Sequence, residues 1–417
     1  MSWDKIFHAI DEREDQAVAL ETGLTKRPAV SPDSGGQGEL DKCLFLESWL
    51  SQRGLGRLER FDAPDPRAKG GIRPNLVLTI PGTDGEGGGG RLWIMSHLDV
   101  VPPGEAKLWT GDPWTVIRRD DGPLGSRLVG RGVEDNQQGL TASVIAALAL
   151  ADQGRRPRRT VKLLFAADEE QGSRYGIQWL LARVPGLFRK EDLVLIPDGG
   201  DPRGETIEIA EKNLLWIQCL VRGKQTHGSR PDQGANAHLA AADLALSLHY
   251  GLSETFAGED PLFEPPYSTV EPTKREANVP NINTIPGEDV FYMDLRILPR
   301  YSLRQVQAEI DRIKETVERK HRLAVTITPL QSIESKPTPG DAPLVSLLAS
   351  AVKEVYGVEA RPIGIGGGTV GAYLRNQDIH AAVWSRIEHT AHQPDEYALI
   401  RNILGDAKVM ALLMLAE

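Results

Sequence analysis

The chain has 417 residues, 40% hydrophobic and 25% charged, which at roughly 150 residues per domain predicts two or three domains with sizeable cores. Its 58 Asp and Glu against 48 Lys and Arg give a formal net charge of −10, which argues against the basic footprint that non-specific nucleic-acid binding requires. Cys43 and Cys219, the two cysteines, stand far apart, so neither a disulfide framework nor a cysteine zinc cluster is available.

From the N-terminus, apolar and charged residues at helical spacing predict a helix from Trp3 to about Thr22. Its charge, with Asp4-Lys5 running into Asp11-Glu12-Arg13-Glu14-Asp15, does not fit a signal peptide. After a turn-rich stretch from Pro28 to Gly38, a second helix is expected over Leu40–Ser51. Strands follow at Asn75–Ile80 and Leu92–Met95, separated by the glycine-rich loop Pro81–Gly90. The helix of small apolar residues over Gly139–Ala151 is too short to span a bilayer, so no membrane is expected and the default compartment is the cytoplasm. Strand Val161–Ala166, helix Tyr175–Arg183 and strand Leu193–Ile196 continue the alternation, which predicts an α/β fold with a mostly parallel sheet covered on both faces.

Near Asn213 the rhythm changes to strand Leu214–Val221, helix Asn236–His249, strand Asp289–Leu298, helix Leu303–Lys320 and strand Leu323–Thr328. This reads as a smaller α+β domain inserted at 213–333, between a first part of the α/β domain at 1–212 and a second part at 334–417. The Lys336-Pro337-Thr338-Pro339-Gly340 stretch marks the return.

In open α/β sheets, ligands gather outside the carboxyl ends of the strands. Strand 92–95 ends in His97 and Asp99, strand 161–166 in Asp168-Glu169-Glu170, and strand 193–196 in Asp198. Asp135 closes Gly130-Arg131-Gly132-Val133-Glu134-Asp135 just before a helix, and His392 lies in Thr390-Ala391-His392-Gln393-Pro394-Asp395-Glu396 just before the last one. Singly, each acid reads as a solvated or helix-capping residue and each histidine as a hydrogen-bonded structural one. Jointly they are N and O donors suited to zinc or a related metal, and the adjacent Glu169 and Glu170 would crowd like charges that a dication relieves.

These segments, in this order from about residue 73 to the C-terminus, resemble the metal motifs of the M20 metallopeptidases. That family includes acetylornithine deacetylase, succinyl-diaminopimelate desuccinylase, aminoacylase and glutamate carboxypeptidase. The resemblance implies a di-metal catalytic domain interrupted by a dimerisation (lid) domain, and hydrolysis of an amide or peptide bond in a small substrate. It implies two divalent ions, zinc with cobalt or manganese as substitutes, bridged by Asp135. His97 and Asp198 would complete one site, Glu170 and His392 the other. Asp99 would orient the His97 imidazole, and Glu169 would be the general base for the water between the metals.

In the inserted segment, Gly223-Lys224-Gln225-Thr226-His227-Gly228-Ser229 resembles the family motif whose histidine reaches the partner subunit's active site, which implies a homodimer with His227 bonding the developing oxyanion. Asn283 and Arg296 resemble residues that hold the substrate's carboxylate end, and Gly368-Thr369 a loop close to substrate. Read without the resemblance, His227 is a surface hairpin residue and Arg296 a strand side chain reaching solvent. Gln137 and Gln138, Val370 and Gly371, and the long stretch Gly251–Asn281 depart from the family pattern. Two rival readings remain: a catalytically silent binding homologue, and a dinucleotide-dependent oxidoreductase. The latter rests on Gly366-Gly367-Gly368-Thr369-Val370-Gly371, which satisfies G-x-G-x-x-G after a predicted strand at Arg361–Ile365 with Glu388 downstream. Too little chain follows it to complete a nucleotide-binding half.

Overall fold

The computed structural model describes residues 3–85, 90–120 and 125–416. Residues 86–89 of the expected Pro81–Gly90 loop therefore lie outside the described residues. The chain divides into two compact units, one of Met1–Ile209, Thr338–Pro362 and Tyr373–Glu417, the other of Ala210–Pro337 and Ile363–Ala372.

The large sheet has eight strands, in the order Arg57–Pro64, Ile72–Ile80, Val161–Ala166, Leu92–His97, Leu193–Gly200, His380–Ser385, Thr206–Glu211, Arg361–Ile365. Its four central strands, from Val161–Ala166 to His380–Ser385, are parallel neighbours. Ile72–Ile80 is antiparallel to its two neighbours. Strands buried on both faces must be apolar almost throughout, and every residue of Val161–Ala166 and Leu92–His97 is buried. The helix Gln137–Asp152 is buried from Gln137 through Leu150 and packs against the helix Ile400–Leu415, itself largely buried. A helix apolar on all sides belongs at the centre of a core.

Register sets the site. Leu92 pairs with Val161 and His97 with Ala166, so the residues following both strands emerge at one sheet edge. Ile94 pairs with Leu195, which carries the strand end at Asp198 to the same edge.

In the second unit, antiparallel strands lie in the order Thr269–Arg275, Glu288–Ile297, Asn213–Arg222, Ala324–Ile333. Alternate residues Leu215, Ile217, Cys219 and Val221 face a core shared with the helices Ala237–Thr255 and Leu303–His321. The second helix starts at a capping box in which Ser302 and Gln305 satisfy each other's backbone amides.

Several elements differ from the sequence expectation. The first helix is two, Asp4–Asp11 and Glu14–Thr25, broken where Arg13 turns back to the carbonyl of Ala9. Strands Arg57–Pro64 and Thr269–Arg275 were not expected, because both are sheet edges whose charges mask the period-two pattern. Strand Ala324–Ile333 outruns the expected Leu323–Thr328, shifting register between Pro329 and Gln331, where proline has no amide to give. His392 precedes a short strand, Tyr397–Leu399, rather than the last helix directly. The Gly251–Asn281 stretch completes a helix, buries Phe263 against Gly364 and forms the edge strand.

Candidate metal centre

Asp135 stands one residue ahead of Asn136, which opens the helix Gln137–Asp152. That helix begins hard against the strand carrying Asp198: a Cβ on Gly139 would lie 2.6 Å from the Pro197 carbonyl oxygen, so only glycine fits. Asn136 then ties three segments together. Its Nδ2 donates to the Pro197 carbonyl at 2.6 Å and to Asp198 Oδ1 at 2.8 Å, and its Oδ1 accepts the His97 amide at 3.3 Å.

The result is one carboxylate between two imidazoles. Asp135 Oδ1 lies 2.9 Å from His97 Nε2, and Asp135 Oδ2 lies 3.0 Å from His392 Nε2. Asp198 Oδ1 is 3.4 Å from His97 Nε2, and Glu170 is 3.2 Å from His392 Nε2. His97, Asp135 and Asp198 form one group of potential ligand atoms within 4.8 Å of one another, and Asp135, Glu170 and His392 another. These five residues, three expected at strand ends and two in loops, are brought together as two triads sharing Asp135.

His97 is buried, and its Nδ1 donates to the Asp99 carbonyl oxygen at 3.0 Å, which orients the ring so that Nε2, here hydrogen-bonded to Asp135, is the nitrogen that would face a cation. Asp99 thus meets the imidazole through its backbone; its carboxylate stands 3.6 Å from Nδ1. That carboxylate instead accepts the amides of Glu169 and Glu170, each at 3.0 Å. The turn bearing the two glutamates is further held at Asp168, which sits at φ 64° with its carboxylate on the Tyr175 amide and 3.1 Å from Arg73. Arg73 also pairs with buried Glu39.

Two glutamates that the sequence reading passed over organise the remaining loops. Glu396, fully buried, accepts the amides of Gly132, Glu134 and Asp135 and the Arg131 guanidinium. Glu134 accepts the amides of Glu388, Thr390 and Ala391. Both stand inside the motifs quoted above, but an acid that serves backbone amides has no spacing signature.

The electrostatics are those of a crowded acid cluster. Burial pushes the Glu169 carboxyl well above its ordinary range, with the Asp198 charge adding to it, and burial raises Glu170 and Asp198 too. Burial would also raise Asp135, but hydrogen bonds from His392 and His97 hold it below the usual value. Hydrogen bonds to Asp135 and Glu170 lift His392 to about 10. Shared acids at van der Waals range with imidazole nitrogens between them are a donor set that fits two divalent cations, whose charge relieves the crowding.

Gln137 and Gln138 point away from this cluster. Gln137 is buried with its amide NH2 facing Thr25 Oγ1 at 2.9 Å and Glu21 at 3.3 Å, and its carbonyl 3.2 Å from Lys42 Nζ. Gln138 donates to Asp406, Ser385 and the Arg386 carbonyl.

Within the second unit, exposed His227 lies on the two-residue strand Thr226–His227, paired with Thr284–Ile285. The Gly228 amide donates to the Asn283 carbonyl at 2.6 Å, so His227 and Asn283 are neighbours. Arg296 is bidentate to Asp294, at 2.6 and 3.0 Å, and donates to the Gly366 carbonyl at 2.8 Å. Thr369 donates to Glu211 at 2.5 Å, and Gly368 stands beside the same carboxylate. Arg296 thus meets the 366–369 loop.

The model of peptidase family M20/M25/M40 matches residues 93–416. The chain belongs to that family. An uncharacterized metallohydrolase of Methanococcus maripaludis is 35% identical over 413 residues, covering 95% of this chain and 97% of that protein. Succinyl-diaminopimelate desuccinylase of Gluconacetobacter diazotrophicus is 27% identical over 413 residues, covering 97% of each. A di-peptidase of Saccharomyces cerevisiae superposes with a TM-score of 0.73 at 17% identity, covering 99% of this chain and 98% of that one. An M20 metallo-carboxypeptidase of Sulfolobus solfataricus gives 0.70 at 18% identity, covering 96% and 98%. These last two bear on the fold, which is the expected α/β architecture with a mostly parallel central sheet. As an M20 metallohydrolase the chain is an enzyme that uses divalent metal, and the oxidoreductase reading of Gly366–Gly371 does not stand: that segment lies within the matched family and leads into a helix of only five residues, Gly371–Arg375. Among the described residues no helix is long and apolar enough to cross a membrane.

Proposed function

We propose that this M20 enzyme hydrolyses an amide or peptide bond of a small substrate, an N-acyl amino acid or a short peptide, with Glu169 as general base. The observation that carries the reading is the Asp135 carboxylate, whose two oxygens each meet a different imidazole in two ligand triads. His97 and Asp198 would hold one zinc ion, Glu170 and His392 the other, with Asp135 shared; cobalt and manganese suit the same donors. Bound there, such ions supply a more acidic water and Lewis-acid polarisation of the scissile carbonyl.

Glu169 belongs to neither triad, yet the Asp99 carboxylate fixes its amide beside that of Glu170. Burial makes its carboxylate basic, which suits a group that accepts a proton from the attacking water and returns it to the departing amine. His227, with Nδ1 on Ser229 Oγ at 2.8 Å, has Nε2 available to donate to an oxyanion. Asn283, Arg296, Gly368 and Thr369 would hold the substrate's carboxylate end, Arg296 already kept in place by Asp294 and Gly366.

We further propose that residues 213–333 form a dimerisation domain and that His227 serves the partner's metals in a homodimer. Supporting this, Leu239, Leu246 and Tyr250 are 58%, 55% and 65% exposed at a spacing that puts them on one face of the helix Ala237–Thr255. The thiols of Cys43 and Cys219 are free and buried, in keeping with a reducing cytoplasm. The test is a panel of N-acyl amino acids and dipeptides assayed with zinc, cobalt or manganese. Metal-dependent release of a free amine from one class is expected. No C–N cleavage of any member by the fully loaded enzyme would refute the reading.

A further inference from the structure

We propose that Glu134 and Glu396 are positioning residues that clasp the two metal-bearing loops to each other, Glu134 governing the position of His392 and Glu396 that of Asp135. The inference rests on the two-metal reading above. His97 and Asp198 stand on strands of the central sheet, and Asn136 ties their ends together. His392 has no such support. It lies in the loop between strands His380–Ser385 and Tyr397–Leu399, its side chain 53% exposed and its backbone at φ 63°.

Beside Asp395, which accepts the Thr110 amide at 2.9 Å, one carboxylate of the other loop makes most of the backbone contacts that hold this one. Glu134 accepts the amide of Glu388 at 2.6 Å, that of Ala391 at 2.9 Å and that of Thr390. Thr390 Oγ1 stands 3.0 Å from Glu134 Oε2 and accepts the Tyr397 amide at 3.0 Å, which extends the hold to the next strand. In return, Glu396 accepts the amides of Gly132 at 2.9 Å, Glu134 at 2.9 Å and Asp135 at 3.1 Å, and the Arg131 guanidinium at 2.6 Å. Each loop thus contributes a buried acid to the backbone of its opposite. Neither acid is in a ligand triad, so each acts on the metals through the residues it places.

A glutamine in either position keeps the shape but offers one oxygen, and turns an NH2 towards amides that also donate. Glu134→Gln should release His392 and leave the His97–Asp198 site intact. Glu396→Gln should loosen Asp135, the ligand common to both. The two variants therefore predict different patterns, which a merely destabilised fold would not produce.

The experiment titrates cobalt(II) into the metal-free full-length protein, wild type and both variants, reading calorimetry and the visible cobalt bands, with thermal unfolding of the metal-free forms alongside. Wild type should bind two ions. Glu134→Gln should keep one at wild-type affinity and weaken the other by about tenfold or more, with altered cobalt bands for that ion only. Glu396→Gln should weaken both by about tenfold or more. Thr390→Val, which removes one strand of the hold, should repeat the Glu134→Gln split more mildly, and carries the test should Glu134→Gln not fold. Two affinities that stay at wild-type values, or that fall together in Glu134→Gln and Thr390→Val, would overturn the clasp. A wild-type protein unable to bind two ions would overturn the two-metal reading itself, a result visible before any variant is made.

Discussion

The carboxylate of Asp99 is bonded to the backbone of Glu169: Oδ1 accepts the Glu169 amide at 3.0 Å while Oδ2 accepts that of Glu170, and the Asp99 carbonyl meets His97 Nδ1. One buried residue therefore aligns an imidazole, the proposed ligand Glu170 and the proposed base. Asp99→Ala should lose two charge-assisted hydrogen bonds from the interior, lowering stability by on the order of 3 kcal/mol. It should also weaken metal binding by about 10–100-fold. Denaturant unfolding and metal titration check this; a variant with wild-type values in both would leave Asp99 without the role.

Glu169 and Glu170 are adjacent, but only Glu170 reaches His392, at 3.2 Å. Glu169→Gln should therefore keep both ions and the fold while kcat falls by roughly 10²–10⁴. Glu170→Gln should instead weaken metal binding. Metal content and steady-state kinetics of the two variants distinguish the roles, and reversed phenotypes would mean that they are exchanged.

Away from the metals, Asp406 is fully buried where Ser385, Tyr356, Gln138 and the Arg386 amide donate to it, and burial nonetheless raises its carboxyl to about 6. A folded-state value above the unfolded one means the native protein binds this proton more tightly. Its contribution to stability is therefore full below about pH 4 and is lost as pH rises towards about 6, by up to about 3 kcal/mol. In metal-free protein, wild-type stability should fall relative to Asp406→Asn between pH 4 and pH 7. Parallel curves for the two would contradict the assignment.

The trans role proposed for His227 predicts complementation. His227→Ala and Glu169→Ala chains should each be nearly inactive alone. Mixed under conditions of subunit exchange, one of two composite sites regains both groups, and activity per heterodimer should return towards half of wild type. No recovery despite demonstrated exchange would leave His227 as a surface residue.

The convergence of His97, Glu170 and Asp198 was legible in the sequence because parallel strands end at one edge and polar residues just past apolar runs must emerge there, whereas Asp135 and His392 lie in loops whose paths the strand ends do not fix. The supports of all five were not legible. Asn136, Glu134 and Glu396 act on backbone amides and carbonyls brought close only by folding, and such contacts depend on loop paths that side-chain periodicity does not encode. The charged edge strands Arg57–Pro64 and Thr269–Arg275 were missed for the opposite reason: edges carry charge to resist pairing with other chains, and that erases the alternation by which strands are read. The Tyr397–Leu399 strand, three residues long and paired with Arg127–Val129, is too short to leave a pattern.

The central claim is that Asp135 is the ligand common to two metal positions, since its two oxygens meet His97 and His392 separately. Elemental analysis of zinc-loaded, exhaustively desalted wild type and Asp135→Ala tests it most directly. The wild type should carry close to two ions per chain and the variant should lose both, with amide hydrolysis abolished. An Asp135→Ala protein that retains full metal content and activity would contradict the claim.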